Sequence, residues 1–156
     1  MAKKTLLAVF SRTGITKALA RAVAVKTGYD MFVINSAHDY PKNFLMCCVE
    51  AKKEQMNNAR PLIMGKPQNL ASYDTVVIFF PIWAFSCPRI ILSFLEENDF
   101  AGKTIIPVCT YMKTGKGSCE KDMQASCPNA NFKPCIEATA LKDKAVAEIA
   151  DMLLKK

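Results

Sequence analysis

Much of what directs a chain toward metals, membranes or nucleic acid is scarce here. His38 is the only histidine, and none of the seven cysteines stands in a C-x-x-C pair. The short-spaced ligand pairs of a zinc site are therefore missing, and no metal is expected. Cys47, Cys48, Cys109, Cys119, Cys127 and Cys135 read as small core residues. Cys87 is set apart because it falls in a loop, where it is either inert or made reactive by Arg89 and the helix start beside it. The odd cysteine count suits a reducing compartment. No apolar run is long enough to cross a bilayer. Met1-Ala2-Lys3-Lys4 runs straight into a strand pattern without the features of a signal peptide, so the expected location is the cytoplasm. The formal charge of +7 comes from scattered lysines. Without a basic block it describes a solvated surface or steering toward acidic partners and anions, not a nucleic-acid face. Repeats, low-complexity tracts and linkers are also missing.

What is present is a chain of 156 residues, 51% of them hydrophobic, which reads as one domain over residues 1–156. Strand patterns lie near Thr5–Phe10, Met31–Asn35, Thr75–Phe80, Thr104–Thr110 and Phe132–Ile136. Helical patterns lie near Ile15–Lys26, Lys42–Asn57, Pro88–Glu97, Ser118–Ala125 and Lys142–Leu154. The runs VVIFF and TIIPVC are apolar without alternation, as in central strands covered on both faces. Ala59–Ala71, with two prolines and a glycine, reads as a long connection. Strands alternating with helices predict an α/β fold, a three-layer α/β/α sandwich around a five-stranded parallel sheet.

In such sheets ligands bind beyond the carboxyl ends of the strands. Three loops lie there. The first, Ser11-Arg12-Thr13-Gly14-Ile15-Thr16, joins a strand to a helix and carries three hydroxyls. Free amides and the dipole at the helix start favour an anion. A single glycine rules out both a Walker loop and a dinucleotide fingerprint. Either the loop holds a terminal phosphate monoester, or Ser and Thr merely cap the helix. The second loop, Pro81-Ile82-Trp83-Ala84-Phe85-Ser86-Cys87-Pro88, holds the only tryptophan. The third runs from Tyr111 to Ser118 and has two glycines that admit close backbone approach. Together they would suit a flat, conjugated, phosphorylated ligand.

Four stretches then carry a resemblance. They are FSRTGITK, the segment Tyr40–Pro61, the segment Tyr73–Glu96, and FAGKTIIPVCTYMKTGKGS ending at Ser118. In order and spacing the chain resembles the flavodoxin family, in particular its short flavodoxin-like branch. The resemblance implies strand order 2-1-3-4-5 and bound FMN. It assigns Ser11, Arg12, Thr13, Gly14, Ile15 and Thr16 to the phosphate, with Ile15 where the family usually has Asn. It assigns Pro81, Ile82, Trp83, Ala84 and Phe85 to the flavin's flank, where Ala84 and Phe85 replace a second Trp and a Gly. It assigns Thr110, Tyr111, Thr114, Gly115 and Gly117 to the opposite edge, where Tyr111-Met112-Lys113 replaces a small, glycine-rich entry. Tyr40 and Arg60 become candidates beside a capping and turn role.

The implied function is electron transfer through non-covalently bound FMN, with no catalytic side chain. The alternatives are a small NAD(P)H/quinone oxidoreductase, or an interaction module of the same fold that has lost FMN. Whether the chain is a carrier or an enzyme stays open. The expected partners are redox proteins or small electron acceptors, acidic or anionic, with neither nucleic acid nor membrane involved. Arg12, Lys17, Arg89, Lys113 and Lys116 near the loops are expected to favour the reduced, anionic flavin and to raise its potential above that of acidic relatives.

Overall fold

A computed structural model of the chain describes residues 4–111, 114–138 and 143–155. Its centre is a parallel sheet built on Thr5–Val9 (β1), Asp30–Val33 (β2), Thr75–Pro81 (β5) and Thr104–Thr110 (β6). Between β2 and β5 lie two short strands, Asn35–Ser36 (β3) and Ile63–Met64 (β4), which pair antiparallel with each other. The sheet closes with Asn131–Phe132 (β7) and Ile136–Ala138 (β8), both paired to β6. The path β2-β1-β5-β6-β7 is the expected order, with the fifth position filled by two pieces.

Alternation along the strands sends neighbours to opposite faces. Leu6, Ala8, Val76, Ile78, Phe80, Ile105 and Cys109 enter one core. Leu7, Val9, Val77, Phe79, Ile106 and Val108 enter the other. Helices Ile15–Thr27 (α1) and Asp143–Leu154 (α5) cover the second face through Leu19, Val23, Val146 and Ile149. Helices Arg89–Glu97 (α3) and Cys119–Ser126 (α4) cover the first through Ile90, Ile91, Phe94, Leu95 and Met123. Each large side chain so buried stabilises the fold by about 1.5–3 kcal/mol. The remaining helix, Phe44–Met56 (α2), buries only Cys47 and Ala51. It starts after Asn43, whose side chain accepts the Met46 amide at 3.1 Å.

Four sequence readings need correction. Phe10 lies past β1, although its amide still reaches the Phe79 carbonyl at 3.0 Å. The segment read as strand Phe132–Ile136 is interrupted at residues 133–135. Pro134 stands in that gap and has no N–H to give the ladder. The stretch Ala59–Ala71 is more than a connection, since it supplies β4. The second helix begins at Phe44, not Lys42. The expected start of the last helix at Lys142 lies outside the described residues, as do Met112 and Lys113 of the third loop.

Candidate functional site

The carboxyl ends of β1, β5 and β6 bring the three loops to one end of the sheet. Parallel register aligns Val9 with Phe79 and Pro81 with Thr110, so the second and third loops leave at one level and the first leaves two residues earlier. The Ile82 amide bonds the Thr110 carbonyl at 2.9 Å and ties the second loop to the start of the third.

In the first loop the chain turns at Gly14, whose φ of +95° disfavours an L side chain. The Gly14 amide is taken by Ser11 Oγ at 2.9 Å. Beyond it α1 begins without a side-chain cap, so its first-turn amides are not engaged by Ser or Thr side chains. Thr13 is exposed beside them. Thr16 is different: it is buried, and its hydroxyl pairs with that of Thr110 at 2.8 Å. Thr16 and Thr110 thus lock α1 to β6 with hydroxyls turned to each other. Ile15 is 57% exposed. Arg12 donates to the Lys42 carbonyl at 2.9 Å and the Pro41 carbonyl at 3.3 Å, which clasps the lead-in of α2 to this loop.

The second loop is a tight hairpin. The Trp83 amide donates to Ser86 O at 2.8 Å, and the Ser86 amide donates back at 3.1 Å. Its two central residues, Ala84 and Phe85, have φ of +50° and +64°. Such turns usually take Asn or Gly there. Gln55 of α2 donates to the carbonyls of Trp83 and Ala84, at 3.1 and 2.9 Å, and holds the turn from below. Trp83 is half-buried, edge-to-face with Phe10 and Tyr40 at centroid distances of 5.4 and 4.8 Å. The aromatic ring offered to solvent is that of Phe85, 66% exposed. Pro81 ends β5 and Ile82 is half-buried, so both flank the turn instead of forming its tip.

The third loop rests on the second. The Ser118 amide donates to the Phe85 carbonyl at 2.9 Å. Gly117 lies so close that a Cβ there would sit 1.9 Å from the same oxygen. The Lys116 amide donates to Glu137 at 2.9 Å, and the Tyr111 amide to Ala138 O at 3.2 Å. These bonds fix Tyr111 and Gly115 over β8. Thr114 is exposed, with its hydroxyl 3.4 Å from the Gly115 carbonyl.

Charge at the site departs from expectation. Arg89 is buried and donates to Ser86 Oγ at 2.9 Å, Cys87 O at 3.1 Å and Asp122 Oδ2 at 3.1 Å. Lys116 pairs with Glu120 at 2.6 Å. Two of the five cations are therefore neutralised within the protein, and Arg12 is turned to backbone carbonyls. Cys87 is fully buried, and burial pushes its thiol up to about 12 despite Arg89. Of the two readings open for Cys87, reactive or inert, burial favours the inert one, because desolvation outweighs the neighbouring cation.

A cleft of about 740 Å³ opens between Phe10–Thr13 and the segment 34–42. Asn35, Ser36, His38 and Asp39 line it, and the sequence reading singled out none of them for a site. Only the turn-rich SAHDYP run hinted at a loop there. Tyr40 lines it too, and donates to Glu54 at 2.8 Å. Burial and this carboxylate raise the Tyr40 phenol, and burial raises Glu54. Arg60 is engaged by Glu96 at 2.9 Å, outside the three loops. Gln55 and Asp122 were likewise missed, since their roles depend on partners 28 and 33 residues away. Among the described residues no three His, Cys, Asp or Glu side chains are placed to hold a metal ion. Nor is any described helix long and apolar enough to cross a membrane.

A family model described as flavodoxin matches residues 4–151. The chain is 30% identical to a Bacteroides eggerthii protein provisionally described as a flavoprotein; the match covers 99% of this chain and all of that one, with a TM-score of 0.85. A Lactobacillus acidophilus flavoprotein, solved in complex with FMN, is 17% identical over 94% of this chain and 98% of its own, with a TM-score of 0.79. Oxidised flavodoxin 1 of Bacillus cereus is 13% identical over 96% of this chain and 94% of its own, with a TM-score of 0.56. No curated protein matches the chain.

Proposed function

The chain belongs to the flavodoxin family, and on that premise we propose that it binds FMN across the three loops and transfers electrons through it. The observation that carries this reading is the start of α1. It has no side-chain cap, follows a φ-positive glycine and stands beside the exposed Thr13 hydroxyl. Amides so placed fit a phosphate monoester. The other two loops add the exposed ring of Phe85 and, beyond the end of β6, Tyr111, Gly115 and the exposed Thr114. The Lactobacillus acidophilus flavoprotein with FMN, alike in fold, supports the choice of ligand.

FMN, when bound, supplies the one- and two-electron chemistry. The residues of this chain have other tasks. First-turn amides of α1 and Thr13 would hold the phosphate. Phe85 would supply an aromatic contact to the ring. Gln55, Ser118 and Gly117 keep the Phe85 turn in place. A net charge of +7 favours acidic redox proteins or anionic acceptors as partners.

Titration of the apoprotein with FMN, followed by flavin fluorescence, tests the reading. Saturable quenching is expected, weakened at least tenfold by Thr13→Leu. No binding at hundreds of micromolar FMN would overturn it. The exposed Ile15 in the phosphate loop favours one second reading, an interaction module without FMN, and that result would leave it standing.

A further inference from the structure

Outside the three loops, the densest group of reactive side chains is a set of thiols beneath the third one. Cys119 opens α4, Cys109 ends within β6, and Cys135 lies between β7 and β8. The Sγ atoms of Cys119 and Cys135 are 3.9 Å apart. We propose that Cys119 and Cys135 are an oxidisable dithiol, a modification site at which hydrogen peroxide closes a reversible disulfide between α4 and the edge of the sheet.

Three features place the pair for this chemistry. The Cys135 amide donates to Glu120 Oε2 at 2.8 Å, so its backbone is held against the residue next to Cys119. Cys135 also sits in the gap where the fifth strand position is interrupted, outside the ladder. The two sulfurs, 3.9 Å apart, must approach to about 2.05 Å for the bond to form. Finally, Cys135 is half-buried whereas Cys119, Cys109 and Cys87 are buried. A small oxidant enters past Cys135 and reaches Cys119 directly behind it.

The steps balance. The Cys119 sulfur attacks one oxygen of hydrogen peroxide. The O–O bond breaks, a sulfenic acid forms, and the thiol proton leaves with the departing hydroxide as water. Cys135 then attacks the Cys119 sulfur, the S–O bond breaks, and the Cys135 proton completes a second water. Two thiols lose two electrons, and one peroxide becomes two waters. Hydrogen bonds from Cys109 and Cys135 lower the Cys119 thiol, which suits the sulfur that meets the oxidant. The neighbouring thiols and burial raise Cys135, which suits the partner that resolves the sulfenic acid. The new bond would tether the start of α4, where Ser118 already holds the Phe85 carbonyl. This inference goes beyond the FMN reading and does not depend on it.

The test uses the reduced full chain and equimolar hydrogen peroxide. Free thiols are then alkylated under denaturing conditions, and peptides are mapped by mass spectrometry. The expected product has lost two hydrogens, carries the 119–135 link in at least tenfold excess over any other disulfide, and is restored by dithiothreitol. Cys135→Ser and Cys119→Ser should abolish the link, whereas Cys48→Ser should keep it. The wild-type map decides even if a variant does not fold. Recovery of Cys119 and Cys135 as free thiols after the peroxide is consumed would overturn the proposal. So would a dominant link between any other pair.

Discussion

Phe85 holds a backbone conformation that side chains with a Cβ rarely adopt, and Ala84 before it does the same. A residue in the left-handed region costs about 1–2 kcal/mol. Phe85→Gly should therefore raise stability by about 1 kcal/mol, read as a higher urea midpoint, while weakening FMN binding through loss of the exposed ring. Such strain persists where surrounding bonds over-determine it, as at functional sites. Gly117 shows the opposite sign. In Gly117→Ala the new methyl would collide with the Phe85 carbonyl, so the loops must part. A loss of roughly 1–3 kcal/mol is expected in the same denaturation experiment. At Asp122, burial pulls the carboxyl up, but hydrogen bonds from Ser86 and Arg89, with the charge of Arg89, outweigh it and the net shift is downward. A lowered carboxyl contributes stability that is fully present above its unfolded value, near 3.9, and is lost as pH falls through the folded value. Stability measured from pH 7 to pH 2 should show that loss in the wild type. Asp122→Ala should lack this part of the slope and cost about 3 kcal/mol at neutral pH, because Arg89 is left buried without its partner.

Helix α2 adds little to the core, yet it is bonded at both ends to the candidate site. Arg12 reaches the segment before it, and Gln55 near its end holds the Phe85 turn. Gln55→Ala should release the carbonyls of Trp83 and Ala84, with amide exchange at residues 83–86 about tenfold faster. The elements that were legible in the sequence are those whose own residues decide them. The runs in β5 and β6 are apolar throughout because both faces are covered. The turn into α1 announces itself by Gly14. The two-residue strands β3 and β4 were not legible, since each is defined by its partner and not by its own pattern. The break at Pro134 was missed because the residues around it still read as strand. In the site, the first loop was legible from strand, polar turn and helix in succession. The inward turn of Thr16, the burial of Cys87 and the pairing of Arg89 were not, because each is decided by groups distant in sequence.

For the molecule as a whole, ligand and fold are linked. A ligand that binds only the native state stabilises it by RT ln(1 + [L]/Kd), about 2.7 kcal/mol at a hundredfold excess over Kd. With FMN at that level, the midpoint of thermal unfolding should rise by roughly 5–10 °C for a chain of this size. Riboflavin, which lacks the phosphate, should give a smaller rise at equal concentration. An equal rise would remove the α1 terminus from the binding account. The excess of basic residues acts at the same scale. It governs encounter with partners, so association with an acidic redox protein should slow steeply as salt is added.

The contact between Gly117 and the Phe85 carbonyl also bears on how this protein can change by descent or by design. The third loop cannot gain a side chain at position 117 alone. A lineage that gains one must first have withdrawn the turn at position 85, and the intermediate with only the change at position 117 is the unfit one. Substitutions at the two positions should therefore arrive in a fixed order. A laboratory graft of another aromatic loop would succeed only if residue 117 travels with it.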